Sequence, residues 1–130
     1  MTLPDFLTDG PKTATLTIAL AHGAGAPMDS EFMEVFAKRI AQQGHRCVRF
    51  EFPYMAERRA TGKKRPPDRQ PKLLETWATV IDHYGADKLV IGGKSMGGRM
   101  ATMIADEANV RGVLALGYPF YGAGRADKPR

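Results

Sequence analysis

The chain has few of the residues that several kinds of chemistry require. Its single cysteine, Cys47, cannot form an internal disulfide and reads as a small buried residue, so a reducing compartment, the cytoplasm, suits it. The three histidines, His22, His45 and His83, are scattered and have no thiolate cluster to join, so neither a metal nor another cofactor is expected. No apolar run is long enough to cross a bilayer, and the opening Met1-Thr2-Leu3-Pro4-Asp5 lacks the basic start and apolar stretch of a signal peptide. No membrane contact is expected. There is no internal repeat.

What remains is an ordinary globular mixture, 43% apolar and 25% charged over 130 residues, which fits one domain with a modest core. The net charge of +5 permits contact with phosphates or acidic partners without demanding it. Nucleic acid is a poor fit. The basic stretch from Tyr54 to Gln70 offers only Tyr54 as a stacking face, and no nucleic-acid-binding module is spelled out.

The most informative stretch runs from Lys88 to Met100. Leu89-Val90-Ile91 is strand-like, Gly93-Lys94-Ser95-Met96-Gly97 has the G-x-S-x-G form, and Met96, Met100, Met103 and Ile104 follow at helical spacing. A serine at such a strand-to-helix turn needs a strained backbone that lifts its hydroxyl clear of the sheet. The residues two before and two after it then nearly touch, and glycine at both places, Gly93 and Gly97, removes the clash. The plainer alternative is a Gly-rich turn whose serine caps the helix. A phosphate-cradling loop is excluded, because G-x-x-x-x-G-K-[ST] would need glycine where Lys88 stands.

Residues 1–12 read as a surface lead-in and 13–21 as a central strand that turns continuously apolar. The Gly-rich His22-Gly23-Ala24-Gly25-Ala26-Pro27 loop follows, able to offer backbone N–H groups to a developing negative charge. It fails as a dinucleotide fingerprint, since Met28 occupies the third glycine position. Asp29 or Ser30 caps a helix with Phe32, Met33, Phe36 and Ile40 on its buried stripe, and Gly44 stops it.

Arg46 to Phe52 alternates as a half-covered strand, and Pro53 ends it. Residues 54–70 show no apolar periodicity and read as a basic loop, usually a solvated feature and otherwise a clamp on an anion. Pro71 suits the first turn of a helix whose face carries Leu73, Leu74, Trp77, Val80, Ile81 and Tyr84 until Gly85. After the Ser95 helix, Val110 to Leu116 makes a fourth strand, and 121–130 reads as a frayed tail. This alternation builds a mostly parallel four-stranded α/β sheet with helices on both faces, and its functional site gathers at the carboxyl ends of the strands.

Taken together, the segments Ala21 to Asp29, Phe52-Pro53-Tyr54-Met55, the basic Arg58 to Arg69 run, Gly92 to Arg99 and Leu116 to Phe120 resemble the first half of an α/β-hydrolase. In combination they resemble the small predicted hydrolases related to the testis-expressed and NSL-complex hydrolase-like domains. The resemblance covers residues 13–121 and implies a three-layer sandwich whose four strands are the family's third to sixth, a single truncated domain over 1–130. It implies Ser95 as nucleophile for ester or related acyl transfer. The N–H of Met96 and one from Ala24 or Gly25 would make the oxyanion hole, with Gly93, Gly97, His22 and Gly23 supporting them. Phe52, Tyr54, Met55 and Tyr118 would line the nearer side of a pocket for a small ester-like substrate, or pack the loops.

In that fold the acid and the histidine follow the serine, and no histidine follows Ser95 here. His22 is expected to order its loop, and His45 and His83 to lie at the surface. A serine hydroxyl without a base is a poor nucleophile, so the isolated chain is expected to be weakly active or inactive. Three accounts stay open: a hydrolase cut short, a non-catalytic interaction module, and a half-domain completed by another chain at the exposed edge of the last strand.

Overall fold

The computed structural model describes residues 2–117, 121–122 and 125–129. Five strands form one sheet: β1 (Leu7–Asp9), β2 (Thr17–Ala21), β3 (Arg46–Phe50), β4 (Leu89–Lys94) and β5 (Gly112–Leu116). Their spatial order is β1-β3-β2-β4-β5, parallel throughout except for β1, which runs antiparallel along β3. The mostly parallel α/β architecture expected from the alternation is therefore present, with a fifth strand added at the edge. A three-residue strand carries too little periodicity to be seen in sequence, so the segment expected to be a lead-in pairs instead, tied by the Asp9–Arg49 ion pair at 3.1 Å.

β2 is buried along its whole length because it has a strand on each side and helices above and below. Helix α1 (Glu31–Gln42) covers one face: Met33 and Ala37 pack on Ile18, Leu20 and Cys47. Ser30 is its cap, its hydroxyl accepting from the Met33 N–H. On the other face, α3 (Gln70–Tyr84) and α4 (Met96–Ala108) bring Leu73, Trp77, Val80, Met100 and Ala101 onto Ala19, Phe50, Leu89 and Ile91. Trp77 stands edge-on to Phe50 with ring centroids 4.8 Å apart.

The stretch expected as a basic loop begins as a helix, α2 (Pro53–Thr61). Pro53 pre-sets its first turn, and Gly62, in the left-handed conformation at φ 75°, closes it. Its two buried residues, Tyr54 and Met55, are adjacent rather than three or four apart, so no apolar period marks it. In the segment expected to be frayed, the backbone of β6 (Tyr121–Gly122) pairs antiparallel with β7 (Arg125–Pro129). No helix among the described residues is long and apolar enough to cross a membrane.

The chain leaves β2 toward β3 on one side and returns past it to β4 on the other, so β2 and β4 are neighbours whose onward connections diverge. A crevice opens at the carboxyl ends of such a pair. Both the His22 loop and Ser95 stand there.

Candidate active site

Ser95 sits between β4 and α4 with φ 51° and ψ −112°, one of two non-glycine residues with positive φ among those described. That conformation costs on the order of 1–3 kcal/mol and persists only where its surroundings over-determine it. They do: the Ser95 N–H donates to the Leu116 carbonyl at 2.8 Å, and its own carbonyl accepts from Arg99 N–H at 2.9 Å. The Ser95 side chain makes no capping bond to α4, so the hydroxyl is not spent on the helix.

The glycines on either side work through the neighbouring strand. A Cβ on Gly97 would lie 2.4 Å from the His22 carbonyl oxygen and 2.7 Å from that of Ala21; one on Gly93 would lie 2.3 Å from the Ala21 oxygen and 3.0 Å from the Gly98 nitrogen. The nearest obstacles are thus the end of β2 and Gly98, rather than Gly93 and Gly97 obstructing each other as expected. Their absence of side chains lets α4 start directly against the His22 loop. The Trp77 indole N–H donates to the Gly97 carbonyl at 3.3 Å, anchoring that first turn from α3.

His22 is fully buried, and both ring nitrogens are occupied. The Phe52 N–H can only donate, so Nε2 at 3.1 Å accepts, which leaves the proton on Nδ1, donated to the Gly23 carbonyl at 2.6 Å. Burial lowers its pKa below 6.5, outweighing the Gly23 hydrogen bond and the charges of Glu51 and Asp68, which act the other way. A neutral imidazole with both nitrogens engaged has no site left to take a proton.

The rest of the loop is held by its carbonyls. The Tyr54 hydroxyl donates to the Ala24 carbonyl at 2.9 Å and lies 3.4 Å from that of Gly23, while Arg58 Nη1 donates to the Gly25 carbonyl at 3.4 Å. Among the described residues, no hydrogen bond uses the N–H of Ala24, Gly25 or Met96. Gly23 lies against the turn, since a Cβ there would be 3.7 Å from Ser95 Cβ.

The family model for the alpha/beta hydrolase domain matches residues 14–130. The chain belongs to the alpha/beta hydrolase family. Among solved structures it is similar to XC6422 from Xanthomonas campestris, an α/β serine hydrolase without a lid, with 16% identity and TM-score 0.67 over 89% of this chain and 56% of that one. It is also similar to Est1E from Butyrivibrio proteoclasticus, with 15% identity and TM-score 0.62 over 78% and 40% of the two chains. For a bromoperoxidase from Bacillus anthracis the values are 20%, 0.62, 89% and 41%. These likenesses are of fold, and the chain spans about half the length of the structures it matches. No curated protein matches it.

Of the expected pocket residues, Phe52 and Tyr54 are buried in the core, where their rings pack edge-on to His22 at 5.2 and 5.7 Å. Met55 lines a small hollow with Pro27, Arg58, Arg59 and Gly62, and Tyr118 lies outside the described residues. His83 is exposed and stacks on Phe6 at 5.8 Å. Among the described residues no group of three or more His, Cys, Asp or Glu could hold a metal.

Residues not singled out from sequence complete the support. Glu51, buried, accepts from the Met28 N–H at 3.2 Å and from Arg59 Nε and Nη2 at 3.0 and 2.8 Å. Arg59 also grips both oxygens of Asp29. Arg49, buried as well, donates to the Met28 carbonyl at 3.1 Å. Charges in an alternating strand read as solvent-facing; these are turned inward because each meets a partner more distant in sequence than any local pattern reaches.

Proposed function

We propose that this domain supplies the nucleophile and oxyanion hole of a serine hydrolase that acts on a small ester-like or related acyl substrate in the cytoplasm. The observation that carries the reading is the strained Ser95 backbone at the carboxyl end of β4, beside a loop whose Gly23, Ala24 and Gly25 carbonyls are tied back. In the proposed reaction Ser95 Oγ attacks the acyl carbon, and its proton passes to a base outside these 130 residues. The carbonyl oxygen, now negative, accepts from the N–H of Met96 and from that of Ala24 or Gly25, donors that need not reorganise as the charge forms. The C–O bond to the leaving group breaks, the departing oxygen takes the proton, and water hydrolyses the acyl-serine in the reverse sense.

His22 is not that base, with its lone pair on Nε2 committed to Phe52 N–H. A second reading has another chain complete the site along β5. It is favoured by that strand's outer position in the sheet and by Val113, 40% exposed there.

A fluorophosphonate probe tests the role of Ser95 in the purified chain, with and without added imidazole as a stand-in base. Labelling should be slow alone, faster with imidazole, and absent in Ser95→Ala. Labelling that persists in Ser95→Ala, or fast imidazole-independent labelling of Ser95, refutes the assignment of roles.

A further inference from the structure

Three of the basic side chains near the loop are already matched. Arg59 is shared between Glu51 and Asp29, Arg65 pairs with Glu57, and Lys94 Nζ lies 4.6 Å over the Phe32 ring. Arg58 is different. It is half-buried, no carboxylate pairs with it among the described residues, and its one hydrogen bond is the long contact to the Gly25 carbonyl. A guanidinium has five N–H donors in a planar fork, so most of its capacity is open.

Arg58 lines a hollow of ≈ 180 Å³ together with Pro27, Met55, Arg59 and Gly62. Whole small-molecule sites run from about 300 to 1,000 Å³, so this one fits a single functional group and a few carbons. Its walls pair two apolar side chains with an unmatched cation. The C-terminus of α2 at Gly62 opposes an anion, but a helix end carries only about half a unit of charge, felt within its last turn. The full charge of Arg58 outweighs it, and the single negative charge left where Arg59 is shared between two carboxylates is offset by Lys63 and Lys64, which follow Gly62.

We infer that this hollow is a subsite for an anionic group, carboxylate or phosphate, on the acyl substrate, with Arg58 as the residue that recognises it. The inference rests on the hydrolase reading for calling the ligand a substrate; the binding itself does not. The Arg58 contact to Gly25 places the subsite beside the loop proposed to hold the oxyanion. A substrate gripped by its charged end would therefore be oriented relative to Ser95, the kind of remote contact that converts binding into positioning.

Titration of the isotopically labelled chain by NMR tests this, with sodium succinate and sodium phosphate as separate probes, ionic strength held constant with chloride, and dimethyl succinate as the neutral control. One or both anions should give saturable shifts at the Gly25, Met55, Arg58 and Gly62 amides, and which of them does so identifies the group. Binding should weaken roughly ten-fold or more in Arg58→Gln, as expected for losing a charged hydrogen-bond partner, less in Arg58→Lys, and stay unchanged in Ser95→Ala. Equal shifts with the neutral diester, binding that survives both Arg58 variants, or unsaturable shifts spread along 63–69 would overturn it. Loss of binding with Ser95 labelling intact sinks the subsite alone; loss of labelling with binding intact sinks only the hydrolase reading.

Discussion

Replacing Gly97 with alanine sets two effects of known sign against each other. Alanine inside a helix is favoured over glycine by up to about 1 kcal/mol, and less in the first turn, where Gly97 stands. Against this, the new Cβ would stand 2.4 Å from the His22 carbonyl oxygen and 2.7 Å from that of Ala21, both main-chain atoms at the end of a central strand. Real Cβ contacts stay beyond about 3.0 Å, so α4 must retreat by at least the difference of 0.6 Å, and neither obstacle can rotate away. That retreat also disturbs the Trp77 bond to the Gly97 carbonyl, already 3.3 Å long. Overpacking of this kind typically costs about 1–3 kcal/mol. The steric term wins, and Gly97→Ala should lose about 2 kcal/mol. With a urea slope of about 1–3 kcal/mol per molar, the unfolding midpoint should fall by roughly 1 M, followed by the fluorescence of the sole tryptophan, Trp77. Gly25→Ala is the control: nothing lies within 4 Å of a Cβ there, so its stability should stay within about 0.5 kcal/mol of the parent, or rise. A Gly97→Ala midpoint equal to or above that of the parent would refute the close approach of α4 to β2.

Three further outcomes follow from buried polar groups. Because burial holds the His22 pKa below 6.5, the unfolded chain binds a proton there before the folded one does; stability from this group is full above pH 6.5 and declines as pH falls below it, by up to about 1.4 kcal/mol per pH unit. Urea midpoints measured between pH 5 and 7.5 should show that decline, and a flat profile contradicts it. Arg59→Ala leaves Glu51 buried without its cation and should cost about 2 kcal/mol, less than for a fully buried pair because Arg59 is 45% exposed; adding Glu51→Gln should recover much of the loss, and no recovery would mean that Arg59 acts through Asp29. The Cys47 thiol, with its pKa pushed up to about 12 by burial, should resist a thiol reagent at pH 8 in native protein and react after denaturation; rapid native reaction would place it outside the core.

The features legible in the sequence are those whose causes are local. The turn at Ser95 was readable because its strand, its glycines and its helix are contiguous, and the β2 strand because burial on both faces leaves a continuous apolar run. α2 was hidden because it buries only neighbouring residues and is otherwise charged. Arg49 and Glu51 were misleading for a related reason. Asp9 and Met28 are brought to them by the sheet order, which no window of sequence contains, and Arg59, though only eight residues from Glu51, reaches it because α2 folds back there. Trp77 was correctly placed in the core, yet its indole N–H reaches the Gly97 carbonyl, a contact that depends on α3 and α4 lying side by side on one sheet face.

The same long-range contacts explain how this part of the fold holds the Ser95 turn and the loop after β2 in place, and on the proposed reading that geometry would not depend on the proton acceptor. A strained serine needs rigid neighbours, and here each neighbour is fixed by an element remote in sequence: the Ser95 N–H by β5, the first turn of α4 by Trp77, and the loop after β2 by Phe52, Tyr54 and Arg58. All of those contacts lie within residues 22–116. Orientation and oxyanion stabilisation are separable in energy from general-base catalysis, since hydrolases stripped of a triad member keep part of their rate enhancement. Under the proposed reading, the domain would carry the part of the chemistry that depends on preorganisation, and the base would need only to present a nitrogen within reach of the Ser95 hydroxyl.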